Sequence, residues 1–186
     1  MKIKDNDIAP RFEVVDIYGA PVSLESFRGK KVYLSFFRNT ACPFCNIRVI
    51  QLAKVLPGLI EEGLVPVFFF ESPGRVIKRS SFCDQLGGVH LVGDPEKEVY
   101  GKYGVSNSLL KMVSTVVNGK NRETLNEIKR LGLGKESQKG NTKTLIPADF
   151  LINEQGEVEQ AYYASDLNDR LPIETLEAFV RQGVTA

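Results

Sequence analysis

Cys42 and Cys45 stand three residues apart in Asn39-Thr40-Ala41-Cys42-Pro43-Phe44-Cys45-Asn46. Two thiols at this spacing close a small disulfide ring that opens and closes without unfolding the chain around it. An apolar β-type run, Val32 to Phe37, precedes them, and a helical pattern, Ile47 to Leu59, follows. The pair is therefore predicted at a strand-to-helix junction, with Pro43 at the first helical position. Free backbone N–H groups and the positive end of the helix dipole favour thiolate over thiol there, below the free value of about 8.5. Cys42 is the expected nucleophile toward a disulfide or a peroxide oxygen, aided by the helix N-terminus and by Arg38 at the strand end. Cys45 then attacks the mixed disulfide or sulfenic acid and releases product. A separate thiol reductant resets the pair.

Other readings of these residues are blander. Two cysteines can act as small apolar side chains beside a strand. Zinc would need two further ligands, and only Cys83 and His90 remain, without a second paired spacing. The expectation is no metal and no cofactor. His90, the one histidine, opens a strand and reads as structural. Glu71, at the end of the second core strand, and Asp149, beside Pro147, read either as proton relays to Cys45 or as solvated or capping carboxylates. Arg48 reads as a surface charge.

The elements that must position the pair follow in order. Phe12–Ile17 and Val22–Leu24 flank a turn at Tyr18-Gly19-Ala20-Pro21. Val32–Phe37 is nearly continuous in apolar residues, as a strand covered on both faces should be. In the next helix Ile47, Ile50, Ala53, Val55, Leu56, Leu59 and Ile60 form the stripe, and Pro57 should kink it or end its regular part. A second buried strand spans Leu64–Phe70. Ser72-Pro73 reads as cap and first residue of a helix reaching about Leu86. A short strand at Val89–Val92 precedes a second cap-and-proline start at Asp94-Pro95. Ser106 is predicted to cap a helix carrying Leu109, Leu110, Met112, Val113, Val116 and Val117. That stripe serves either a homodimer interface or packing under the following loop. A further helix is expected from Glu123 to Leu131, then a mobile loop from Gly132 to Lys143. Leu145–Ile152 and Val158–Tyr163 complete the strands, and Pro172 opens a terminal helix with Leu176, Phe179 and Val180 inward. Strands alternating with helices imply α/β architecture: a central mixed sheet with helices on both faces and an antiparallel hairpin at each end of the chain. The 186 residues read as one domain with a helical insertion and loop around 106–143.

Composition narrows the partners. The chain is 42% hydrophobic and 25% charged with net charge +1, and no basic block points to nucleic acid. No apolar leader core and no membrane-length run is present. Three cysteines are too few for a disulfide scaffold, so a cytoplasmic, reducing location is predicted, where Cys-x-x-Cys is catalytic or metal-binding.

Ala9-Pro10-Arg11-Phe12, Val32–Phe37 leading to Cys42-Pro43, Gly93-Asp94-Pro95 ahead of Tyr103-Gly104-Val105, and Phe150 to Val158 together, in this order and spacing, resemble the alkyl hydroperoxide reductase C / thiol-specific antioxidant superfamily. The resemblance runs from about Ile8 to Val180. It implies a thioredoxin-like three-layer sandwich, a thioredoxin- or glutathione-type reductant, and a disulfide or peroxide substrate. Cys42 matches the peroxidatic cysteine of peroxiredoxins and the attacking cysteine of thioredoxins, and Cys45 the resolving cysteine of thioredoxins. Pro147 matches the thioredoxin cis-proline that lies against the Cys-x-x-Cys and helps bind substrate backbone. Cys83 is a candidate second resolving cysteine, as in one subgroup of thiol peroxidases; the alternative is an inert helix cysteine. The sequence departs from true peroxiredoxins at Pro147, where they carry an arginine, and at Ser35 and Asn39, where they keep a proline and a threonine. Thr40 lies one step from the second of these positions. The departures favour disulfide reduction or general thiol exchange, with peroxide reduction as the alternative and a non-catalytic binding module behind both.

Overall fold

The computed structural model describes residues 1–117, 119–133 and 142–182. Among them, five strands form one sheet in the order β5-β4-β3-β6-β7: β3 (Val32–Phe36), β4 (Val65–Phe70), β5 (His90–Gly93), β6 (Ala148–Ile152) and β7 (Val158–Tyr163). β3, β4 and β5 run parallel, while β6 and β7 are antiparallel additions beside β3. The fold is thus mixed α/β of the expected three-layer kind. Consecutive apolar residues feed both layers. Tyr33, Phe37, Phe68 and Phe70 face one core with Val49, Leu52, Leu56, Phe82 and Phe179. Leu34, Phe36, Val67 and Phe69 face the other with Phe12, Val22, Tyr100 and Tyr103.

The first layer is built by α1 (Pro43–Leu52), α2 (Leu56–Glu61), α3 (Gly74–Ile77), α4 (Phe82–Gln85) and α8 (Ile173–Arg181). α5 (Glu98–Lys102) lies on the other side, and α6 (Leu109–Val117) and α7 (Arg122–Arg130) follow in the chain. Pro57 does interrupt the site helix: α1 ends at Leu52, and Leu56 restarts it with proline in the first turn of α2.

Several expectations are corrected. The N-terminal hairpin, β1 (Glu13–Val15) with β2 (Pro21–Ser23), forms its own two-stranded sheet instead of an edge of the central one. Its Phe12, Val22 and Leu24 are buried against the sheet's face, which lays the hairpin across that face. Ser72-Pro73 opens only the single turn of α3, not a helix to Leu86; the Ser72 hydroxyl does not cap it but accepts the Thr40 N–H at 3.2 Å. α6 starts three residues past Ser106, where Ser108 Oγ accepts the Lys111 N–H. On α6 it is Thr115 that is fully buried, while Leu109, Leu110, Val113 and Val117 are exposed. Of the segment expected as a mobile loop, residues 134–141 lie outside the described residues.

Candidate active site

β3 delivers the chain to the site. Pairing with β4 continues past the strand ends, through Phe37 N–H to the Phe69 carbonyl at 2.8 Å and Glu71 N–H to the Arg38 carbonyl at 2.9 Å. The chain then turns over Asn39-Thr40-Ala41, fixed by Thr40 to Ser72 Oγ and by Asn46 Nδ2, which donates to the carbonyls of Thr40 and Cys42. Cys42 occupies the N-cap of α1 in extended conformation, with Pro43 next, so its Sγ faces the first free N–H groups of the helix.

Both cysteines are free thiols, and both are almost fully buried. Cys42 Sγ accepts the Cys45 N–H at 3.4 Å and lies 3.5 Å from Arg38 Nη1. The Cys45 thiol, the Arg38 charge and the N–H groups of Cys45 and Phe44 outweigh burial and lower Cys42 to about 6. Burial and the adjacent Cys42 push Cys45 well above the ordinary thiol range. The two thiols are thereby made unequal, with the Cys42 thiolate favoured and the Cys45 thiolate disfavoured.

Arg38 bridges outward as well, donating through Nη2 to the Thr142 carbonyl at 3.3 Å. Glu71 sits beneath this bridge. It accepts from Asn39 Nδ2 at 3.0 Å and from the hydroxyl and N–H of Thr142. It therefore fastens the 142–147 segment to the cysteine turn. Further along this segment Ile146 packs in a small cluster with Ala164 and Leu167, against which Phe44 of the cysteine motif leans. Pro147 follows through a trans peptide bond, as no described peptide is cis. Ser106 and Asn107 clamp the approach to Pro147 with backbone bonds to Ile146 and Leu145.

The structure thus gathers Cys42, Cys45, Arg38 and Thr40, with Pro147 on the adjoining segment. Cys83 does not join them. It lies half-buried on α4 and its Sγ donates to the Ile77 carbonyl. His90 pairs with Asp16 at 3.2 Å at the start of β5, the end of the sheet away from Cys42.

Under α1 lies a buried polar cluster that overturns one expectation and adds a residue. Arg48 is not a surface charge: it is 5% exposed, and its Nη2 donates to the Tyr33 hydroxyl and, at 2.7 Å, to the Leu171 carbonyl. Asp149, opposite Ser35 in the β3–β6 register, accepts from Ser35, Tyr33 and Arg170, the last at 2.8 Å. Burial alone would raise its pKa, yet the charges of Arg170 and Arg48, the Ser35 hydroxyl and the Leu171 N–H hold it below the usual carboxylate range. Arg170, in the turn before α8, also stacks 4.4 Å over the Phe37 ring, and its charge acts on Cys45. Sequence reasoning passed over it. The one available signal was an aspartate inside an otherwise apolar strand, which when buried demands a cation.

Comparison with known proteins places this geometry. The sequence profile described as "AhpC/TSA family" matches residues 6–161. The chain belongs to the AhpC/TSA family. Peroxiredoxin Bcp of Escherichia coli is 28% identical over 104 residues, covering 55% of this chain and 65% of that protein. Thiol-disulfide oxidoreductase ResA of Bacillus anthracis is 30% identical over 98 residues, covering 52% and 56%. The crystal structure of peroxidoxin BcpB from Mycobacterium tuberculosis superposes with TM-score 0.65 at 16% identity, covering 98% of this chain and 99% of the other. The architecture is accordingly thioredoxin-like, and this AhpC/TSA protein is a thiol redox enzyme of the peroxiredoxin and thiol-disulfide oxidoreductase class. None of its described helices is long and apolar enough to cross a membrane.

Proposed function

We propose that this protein is a dithiol oxidoreductase in which Cys42 attacks a substrate disulfide and Cys45 resolves the product. The observation that carries the reading is the paired asymmetry at the α1 N-terminus: Cys42 lowered to about 6 and accepting from Cys45 N–H, Cys45 raised and adjacent. In the first step the Cys42 thiolate forms a bond to one substrate sulfur, and the other leaves with the electron pair as thiolate. Cys45 then loses its proton, bonds Cys42 Sγ, and expels the second substrate thiolate. The net result is one disulfide reduced to two thiols and the Cys42/Cys45 pair oxidised. An external dithiol of thioredoxin or glutathione type returns it to the reduced state.

Arg38 favours a second reading. A guanidinium 3.5 Å from Cys42 Sγ can hold and polarise a peroxide, and the family match supports that chemistry. Cys42 would then take one peroxide oxygen as sulfenic acid, releasing alcohol or water, and Cys45 would expel water to form the same disulfide.

Rapid mixing of reduced protein with one equivalent of hydrogen peroxide or of a small disulfide, followed by acid quench and mapping of cysteines by mass spectrometry, separates the two. The disulfide reading expects a Cys42–Cys45 bond formed quickly by the disulfide, with peroxide reacting no faster than with free cysteine. Rapid peroxide oxidation favours the second reading. If Cys42→Ser retains turnover with both, neither stands.

A further inference from the structure

Pro147 also walls a cleft of about 290 Å³ between the N-terminal stretch, the Ser106–Ser108 turn, the first turn of α6 and the Tyr163–Ala164 edge. Two cations line it. Lys111 Nζ donates to the Ala164 carbonyl at 2.6 Å, and Lys2 Nζ lies 4.6 Å over the Tyr163 ring. No acidic residue is among the lining, and neither lysine makes an ion pair among the described residues. Burial, and then the charge of Lys2, lower the pKa of Lys111; the carboxylate it senses is Asp169, whose oxygens already accept from Tyr162 and Ser165. Two ammonium groups sharing one cleft without an acid repel each other until an anion enters between them.

The cleft and the cysteine turn are linked through one stretch of chain, residues 142–147. Thr142, at one end of the 142–147 segment, takes Arg38 beside Cys42. Ile146, which lines the cleft, packs in the cluster that holds Phe44 of the cysteine motif. We propose that this cleft is the subsite for the anionic end of a small disulfide substrate, whose carboxylate is held by Lys2 and Lys111 while its S–S bond reaches Cys42. The inference rests on the disulfide reading above and names its substrate class. The volume lies at the lower edge of small-molecule sites, which suits a carboxylate and short stem. Chemistry follows the exchange already written: one S–S bond breaks, two substrate thiolates leave, and the Cys42/Cys45 disulfide forms.

The test is single-turnover formation of the Cys42–Cys45 disulfide, mapped by mass spectrometry so that reaction at the half-buried Cys83 is counted apart, when reduced protein meets dithiobis(nitrobenzoate), which is dianionic, or dithiodipyridine, which is neutral. In a Lys2→Gln/Lys111→Gln variant the rate with the anionic probe should fall about fivefold or more, the scale of a partly screened ion pair. The neutral probe should react as with the unmodified protein, and about 0.5 M salt should erase the difference between proteins. A Lys30→Gln/Lys54→Gln variant removes the same charge elsewhere on the surface and should lose nothing. As a binding readout, dithiodipropionate added to the Cys42→Ser protein should shift the amide resonances of Lys111 and Ala164. Equal loss with both probes, or equal loss in the Lys30/Lys54 variant, overturns the cleft assignment while exchange stands. Failure of the unmodified protein to react with the neutral probe overturns the exchange reading, and this inference with it.

Discussion

Cys42 with a pKa of about 6 has consequences that can be read at the bench. The thiolate absorbance near 240 nm should rise through about pH 6, and Arg38→Met should move that rise to higher pH, because a cation 3.5 Å from Sγ is removed. A rise left unmoved would show that the helix terminus and Cys45 suffice. Linkage gives a second sign. An acid whose folded pKa is lowered binds fewer protons in the native state, so it adds stability as pH climbs from about 6 toward the free-thiol value of about 8.5. Reduced protein should therefore resist urea better at pH 8 than at pH 6 by more than Cys42→Ser protein does. Asp149 supplies a third test. Asp149→Asn leaves Arg170 facing a neutral amide inside the core and should cost about 3–5 kcal/mol, whereas Asp149→Asn combined with Arg170→Met should recover much of it. Urea midpoints of the single and double variants decide; additive losses would mean that the pair is not coupled.

At the level of elements, the site depends on how closely the Ser72 loop rides on β5. A Cβ on Gly93 would stand 2.6 Å from Gly74 N and 2.8 Å from the Ser72 carbonyl. Since Ser72 Oγ fixes Thr40 N–H, Gly93→Ala should cost about 1–3 kcal/mol and also slow alkylation of Cys42. Unchanged alkylation would uncouple that loop from the thiolate. The elements themselves were largely legible in the sequence: the strand–Cys-Pro–helix junction, the parallel strands and the C-terminal hairpin all follow from apolar runs punctuated by Gly and Pro. The buried polar cluster was not. Arg48 lies three residues after Cys45 and four before Leu52, on the buried face, but the stripe read through Ile47 and Ile50 left it outside. Arg170 comes from a turn with no periodicity, and its partner Asp149 is 21 residues away. Such pairing is set by sheet register, which local patterns do not encode. Ser72-Pro73 reads in sequence as cap and first residue of a long helix, whereas Pro73 is itself the N-cap of a single turn, because a serine that serves a tertiary contact has the same spelling as one that caps.

Across the whole molecule, the charges of Arg38 and the α1 terminus stabilise thiolate, and a disulfide has none to stabilise. A Cys42 thiol lowered to about 6 favours the reduced state, so the pair should be an oxidant relative to thioredoxin: its potential against glutathione should lie above about −270 mV, and Arg38→Met should lower it. A value at or below thioredoxin's would show that other contacts favour the disulfide by as much. The same architecture sorts chemical probes by size. Cys42 is 3% exposed, whereas Cys83 is half-buried on α4, so the cysteine at the helix terminus is the less accessible of the two. Small electrophiles such as iodoacetamide should modify Cys42 first near pH 7, and bulky maleimide dyes should go to Cys83. For a fluorophore or a covalent inhibitor, the width of the warhead's carrier, more than its reactivity, would then choose the cysteine.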